Sequence, residues 1–118
     1  MVLRASAELS GYKVNIRAII DPSEGIGIPD GDCLLAFAST VLGTDAEALA
    51  NARNVLVERL GGEALVAASL IAGNFSRNDR IADAIGIPIE ADFLNKSEDF
   101  REDFGINGFL SARNTLGG

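Results

Sequence analysis

Residues 63–89 read EALVAASLIAGNFSRNDRIADAIGIPI and predict one long helix, apolar at its start and polar in its middle. The end of the helix is marked by Gly86, because glycine readily adopts the left-handed conformation that satisfies the last helical carbonyl groups. Pro88 follows two residues later and prevents the helix from restarting. We therefore expect a helix over residues 63–85.

Two further helices are predicted before this one. The first can be capped by Asp30 or Asp32 and carries an apolar face. Thr44 and Glu47 have the spacing of a capping box, in which the hydroxyl and the carboxylate each bond an amide at the start of the second helix. That helix ends at the glycine pair 61–62. Its apolar stripe consists of Leu49, Ala52, Val55, Leu56 and Leu60.

The chain before the first of these helices is less regular. In residues 1–20, alternating apolar residues favour a strand, whereas the spacing of Ile16, Ile19 and Ile20 fits a helix, so both alternatives stay open. Residues 21–31 contain two prolines and three glycines and predict a loop, which could act as a lid.

Residues 90–118 form an acidic tail that is rich in phenylalanine. Within it, residues 97–104 read SEDFREDF and predict a short helix capped by Ser97, with acidic side chains near its positive end. Four of the six phenylalanines lie in the tail, at Phe93, Phe100, Phe104 and Phe109. Aromatic side chains need an apolar surface to cover them. We expect one domain over residues 1–118, with this tail packed on the helical bundle or on a partner subunit.

The composition excludes several classes of function. The net charge of −7 argues against nucleic acid or an anionic membrane as a partner. The chain has one cysteine and no histidine, so it lacks the residues of a disulfide and of the commonest metal sites. We expect neither a metal nor a cofactor. No signal sequence or membrane-spanning run is recognisable, which favours a cytoplasmic location.

The long helix contains the pair Asn74-Phe75, the run Arg80-Ile81-Ala82-Asp83 and the stop Gly86-Ile87-Pro88. Together with the apolar start, these motifs resemble the closing helix of the carboxymuconolactone decarboxylase and alkylhydroperoxidase-D-like superfamily. The resemblance covers well under half of the chain. It implies an all-α fold, a compact bundle of about five helices like that of the alkylhydroperoxidase-D-like proteins, and assembly into a homo-oligomer.

The redox centre that the resemblance would imply is missing. Peroxidases of this superfamily carry a CxxC motif followed by a histidine, and one thiolate attacks the peroxide while the second sulfur resolves it. The corresponding region, roughly residues 44–51, contains Thr44, Glu47 and Asn51 instead, and the capping interpretation accounts for the first two. We therefore expect no dithiol peroxidase activity.

Cys33 is the single thiol of the chain, at the start of a predicted helix. The helix dipole there could stabilise a reactive thiolate, whereas the neighbouring Asp30 and Asp32 disfavour one. Free cysteines commonly pack as small buried hydrophobic residues. Packing is therefore the favoured interpretation, and reactivity is the alternative.

The polar middle of the long helix is the best candidate for a binding site. Asn74, Arg77 and Arg80 could form a solvated face with local ion pairs along the helix. Alternatively, the arginines could project into a cavity and hold a carboxylate in a bidentate manner. In that case Arg80 is buried and needs Asp83 as its partner, and we expect its loss to be strongly destabilising.

Three functions are compatible with these observations. The first is a noncanonical superfamily member that binds a small acidic or lactone-like molecule through Arg77 or Arg80. The second is a structural or interaction module without catalysis, and the third is a one-cysteine peroxide-reactive protein. Whether the chain is an enzyme stays open. Self-association is expected through the phenylalanine tail or through a helix face with small residues, namely Ala64, Ala67, Ala68 and Gly73.

Overall fold

The computed structural model describes residues 9–117. Every regular element in this range is helical, so the chain is all-α, as predicted. Six α-helices lie wholly within the range: α1 (Gly31–Val41), α2 (Ala46–Leu60), α3 (Gly62–Ile85), α4 (Ala91–Lys96), α5 (Glu98–Asp103) and α6 (Arg113–Leu116). Short 3-10 helices occupy Ile16–Ile19, Pro22–Glu24, Ile106–Gly108 and Leu110–Ala112.

The residues group into two compact units, which divide between Asn74 and Phe75 within α3. The arrangement expected for residues 90–118, on the bundle or on a partner subunit, stays a prediction. None of the helices in residues 9–117 is long and apolar enough to cross a lipid bilayer.

The core of the first unit lies between α1 and α2. Phe37 from α1 packs there with Ala52 and Leu56 from α2, and the Leu56 side chain is fully buried. The predicted stripe of α2 is therefore confirmed at its centre. At its edge Val55 remains exposed, because successive residues on a helix are rotated by about 100° and α1 covers only one side.

The first two turns of α3 contact this core through Ala64, Leu65 and Ala68, which are half-buried. Beyond these turns the helix is open, and none of its 24 residues is fully buried. The long helix is thus exposed over much of its length, although its sequence is apolar at the start. Two of these three residues, Ala64 and Ala68, are small and allow α3 to approach the core closely.

The caps of α1 and α2 differ from the sequence prediction. The first residue before α2 is Asp45, not Thr44, and its Oδ1 accepts hydrogen bonds from the amides of Glu47 and Ala48 at 3.0 and 2.9 Å. A carboxylate that accepts two amides at the positive end of a helix is favourable. Asp30 does precede α1, but its side chain makes no capping bond, and its backbone is left-handed with φ 55°.

The segment before α1 packs back on the residues that precede it. Of the strand and the helix left open by the sequence, the helix is found over residues 16–19, as a 3-10 helix. Residues 1–8, which the strand alternative also included, lie outside the described residues. In the predicted loop, the amide of Asn15 donates to the carbonyl of Ile26 at 2.9 Å. Gly27 has φ 81° and lies against the carbonyl of Lys13, where a Cβ atom would overlap that carbonyl. The role of this loop as a lid stays a prediction.

The C-terminal end of α3 forms as predicted. Gly86 has φ 68°, and the amide of Ile87 donates to the carbonyl of Ala82 at 3.1 Å. This bond from the second residue beyond the helix is the mark of a Schellman motif. The side chain of Asn114 in α6 packs over Gly86, so the turn is also a contact point within the second unit.

Ser97 lies between α4 and α5 and does not cap α5 as predicted. Its buried hydroxyl donates back to the carbonyls of Phe93, at 2.7 Å, and Leu94, at 3.3 Å. A serine can compete with the helix in this way because its hydroxyl reaches the carbonyl groups one turn earlier. The rings of Phe100 and Phe104 pack against each other with centroids 4.5 Å apart.

The cap of α2 can be tested by comparing adjacent substitutions. We expect Asp45→Ala to lower the free energy of unfolding by about 1 kcal/mol, because two amides lose their acceptor. Thr44→Ala is the matched control and should change it by less than about 0.5 kcal/mol. Both can be measured by urea unfolding, and a larger loss for Thr44→Ala would restore the capping box.

Candidate functional site

The second unit contains a partly open pocket of about 180 Å³. Its wall is formed by the end of α3, the segment after it, α4, α5, the two following 3-10 helices and α6. Most of the lining side chains are apolar: Ala82, Ile87, Ile89, Leu94, Ile106, Ala112 and Leu116. Its charged side chains are Asp83 and Arg101, and its neutral polar ones are Asn107, Ser111, Asn114 and Thr115.

Arg101 is the unusual residue of this wall, because it is only 8% exposed. Its Nε donates to Ser97 Oγ at 3.2 Å, its Nη1 to Asn107 Oδ1 at 2.5 Å and its Nη2 to the carbonyl of Leu94 at 2.9 Å. The guanidinium thereby joins α4, α5 and the Ile106–Gly108 turn. All three acceptors are uncharged.

Among the described residues, the buried charge of Arg101 therefore has no counter-ion. Within residues 9–117, no carboxylate lies within ion-pair distance of its guanidinium. A guanidinium carries five N–H groups, so one on each terminal nitrogen remains without an acceptor in the described chain. Burial of an unpaired charge is unfavourable. An anion in the pocket would compensate both the charge and these two donors.

Further polar groups surround the guanidinium. The Asn107 side chain uses its oxygen to accept from Arg101, and its amide nitrogen has no acceptor in the described part of the chain. Thr115 is already engaged, because its Oγ1 accepts from the amide of Ile89 at 2.8 Å. Asp83, the other charged residue of the lining, is exposed.

The arginines singled out from the sequence lie elsewhere. Arg77 and Arg80 are exposed, as is Asn74, so the expectation that Arg80 is buried and paired with Asp83 is wrong. At about 100° per residue, Arg80 lies about a third of a turn from the side of α3 that faces the pocket, and Arg77 lies on the opposite side. Helical geometry thus keeps both guanidinium groups out of the pocket.

Cys33 is buried, with 3% of its surface exposed, and its Sγ donates to the carbonyl of Asp30 at 3.1 Å. This environment agrees with the packing interpretation. Cys33 also borders a shallow groove on α1 and α2, together with Thr40 and Asn51.

In residues 9–117, histidine, cysteine and carboxylate side chains form no group that could hold a metal ion.

An ion cluster connects the two helices of the first unit. Arg59 in the last turn of α2 bonds Asp30 at 2.6 Å and Asp32 at 2.8 Å, both at the start of α1. The hydrogen bond from Arg59 holds the pKa of the Asp32 carboxyl below its ordinary value, and the two carboxylates raise the pKa of Arg59. Because Arg59 already has two carboxylate partners, the cluster offers no uncompensated positive charge to an anionic ligand.

Arg101 was not predicted as a site residue, although the sequence carries a signal for it. Leu94, Ser97, Arg101 and Phe104 recur at intervals of three and four residues, which place side chains on one helix face. The basic residue in this pattern lies on the buried side, whereas the surrounding acids are exposed. A single arginine on the apolar face of an acidic segment therefore indicates a buried guanidinium.

Comparison with known proteins provides no family assignment: no protein-family model, curated protein or solved structure matches the chain. The case for a ligand site therefore rests on the geometry of the second unit itself.

Substitution of the buried Arg101 and of the exposed Arg80 tests which of the two arginines stabilises the fold. We expect Arg101→Met to lower the free energy of unfolding of the chain by about 2 kcal/mol, because Asn107 and the Leu94 carbonyl lose a charged donor. Arg80→Met should change it by less than about 0.5 kcal/mol, since Arg80 is exposed. Denaturant unfolding monitored by circular dichroism measures both. Equal losses for the two variants would contradict the assignment of Arg101 as the structural arginine.

Proposed function

We propose that this protein binds a small acidic molecule in the pocket of the second unit, with its carboxylate on Arg101. The observation that carries the proposal is a guanidinium that is more than nine-tenths buried, has only neutral acceptors and borders a pocket. Arginine is suited to a carboxylate because its terminal N–H groups can bond both oxygens. The role first assigned to Arg77 and Arg80 thus passes to Arg101.

The size and the lining of the pocket support a compact ligand. A cavity of about 150 Å³ is large enough to hold benzene, and this pocket has a volume of about 180 Å³. Apolar side chains from Ile87, Leu94 and Ile106 can cover a ring or a short aliphatic body. Ligand sites with mostly apolar walls and few polar groups are typical of small-molecule binding proteins.

The family relationship is part of the proposal. We regard the chain as a noncanonical member of the carboxymuconolactone decarboxylase-like superfamily, on the basis of the motifs of α3. With one cysteine and no histidine, the chain lacks the dithiol chemistry of the peroxidases in that superfamily. The buried position of Cys33 also makes a one-cysteine peroxide reaction the least favoured alternative.

Benzoate is a suitable probe of the site, and benzyl alcohol is its uncharged counterpart. We expect benzoate to bind by calorimetry and to shift the Nε–H signal of Arg101 in NMR spectra, and benzyl alcohol to bind at least about tenfold more weakly, since charged hydrogen bonds contribute about 1.5–3 kcal/mol. Arg101→Met should abolish the difference, and Arg80→Met should preserve it.

The comparison of the two probes in the unsubstituted protein does not depend on the folding of a variant. Equal affinity for benzoate and benzyl alcohol, or an unchanged Arg101 signal, would contradict the proposal. Retention of the difference in Arg101→Met would assign the anion to another residue.

Self-association is a second candidate function, favoured by the exposed face of α3. Large apolar side chains remain exposed along this helix: Val66, Leu70, Ile71, Phe75, Ile81 and Ile85. Ala67 and Gly73 are exposed between them and would permit close approach of another helix. Exposed apolar surface of this kind is typical of protein–protein contacts, so we propose that a second copy of the chain covers it.

The mass of the particle in solution tests this second candidate. At micromolar concentration, light scattering should give a mass that is a multiple of the chain mass. Leu70→Ser should reduce it, because the substitution removes apolar surface from α3. Leu42→Ser is the matched control, since Leu42 is similarly exposed but lies outside α3. A monomeric mass for the unsubstituted protein would remove the candidate.

A further inference from the structure

The charges of the pocket are unevenly placed. Both Arg101 and Asp83 line the pocket, but Arg101 is buried, whereas Asp83 is exposed. These two are the only charged residues among the described residues that line the pocket. A ligand that directs its carboxylate to Arg101 therefore shares the pocket with the carboxylate of Asp83.

The volume of the pocket limits how far the two ends of a ligand can be separated. A ligand with a ring or a chain of about six carbons fills a space of this size. Its far end therefore stays near the pocket wall rather than in bulk solvent. Besides Arg101 and Asp83, the described lining offers neutral polar groups such as Asn114 and Ser111, but no second basic residue.

We infer that Asp83 restricts the site to monoanions, so that the ligand class is compact monocarboxylates with an apolar body. This inference rests on the proposed function, because it assumes that Arg101 holds the carboxylate. Asp83 acts here as a specificity-determining residue, since its carboxylate repels a second negative charge on the ligand.

The expected discrimination follows from electrostatics. Two like charges about 6 Å apart weaken binding about 3-fold in a medium as polar as water and about 100-fold at the effective dielectric constant of a protein surface. We therefore expect about tenfold selection against a second carboxylate. High salt should reduce the selection, because Asp83 is exposed and its charge is screened.

Three probes of similar shape test the inference by calorimetry. Benzoate is a monoanion, 4-(hydroxymethyl)benzoate is a longer monoanion, and terephthalate is a dianion of about the same length. The two monoanions should bind with similar affinity, and terephthalate should bind about tenfold more weakly than 4-(hydroxymethyl)benzoate. Asp83→Asn should remove most of this difference. Asp92→Asn, which removes an exposed charge of the same unit outside the lining, should leave it unchanged.

The outcomes distinguish this inference from the proposed function. If terephthalate binds as tightly as 4-(hydroxymethyl)benzoate, the role of Asp83 is overturned and the Arg101 site is left intact. The same conclusion follows if the difference in affinity between these two probes persists in Asp83→Asn. Weak binding of both longer probes, with benzoate retained, would mean that length and not charge limits the ligand and would overturn it as well. Failure of benzoate itself to bind would overturn the proposed function and this inference together.

Discussion

A guanidinium buried in a protein must have acceptors for its N–H groups, and this constraint organises the second unit. Arg101 in α5 meets it with the carbonyl of Leu94 in α4, with Ser97 between the two helices and with Asn107 in the 3-10 helix that follows α5. Short helices such as α4 and α5 have little stability of their own, because nucleation is costly and each contains only six residues. Shared bonds to one buried side chain therefore define how these segments meet.

The same bonds satisfy the N–H groups of Arg101 better than its charge. Every acceptor of Arg101 in the part of the chain that the structure describes is neutral, so its hydrogen bonds are mostly satisfied while its charge is not. Ser97 contributes only because its hydroxyl donates backward to α4 and turns its lone pairs toward Nε. A serine that capped α5 would have been placed differently. Local structure and the chemistry of the pocket are thus linked through one hydroxyl group.

The first unit satisfies its charges differently. Arg59 has two carboxylate partners, Asp30 and Asp32, and the three groups connect the end of α2 with the start of α1 over the core around Leu56. The contrast between the two arginines is informative. Arg59 is partly exposed and has carboxylates at both ends of its fork, whereas Arg101 is buried with none in residues 9–117. Of the two, Arg101 is therefore the candidate for a ligand.

The sequence by itself determined the helical class, the extent of α3 and its end at Gly86, because helix periodicity and a left-handed glycine are local properties. It also identified the apolar residues of α2 that form the core. The predicted cap of α2, Thr44, was wrong by one residue, since threonine and aspartate can both cap and the backbone conformation places Asp45 there.

Tertiary structure alone decided which charged residues are partners and which arginine is buried. Asp30 and Asp32 lie 29 and 27 residues from Arg59, so no local pattern joins them. Arg77 and Arg80 resemble Arg101 in chemistry, but burial depends on which helix face meets the rest of its unit. A pocket forms where the end of α3, α5 and α6 enclose space, and that enclosure is a property of packing rather than of any one segment.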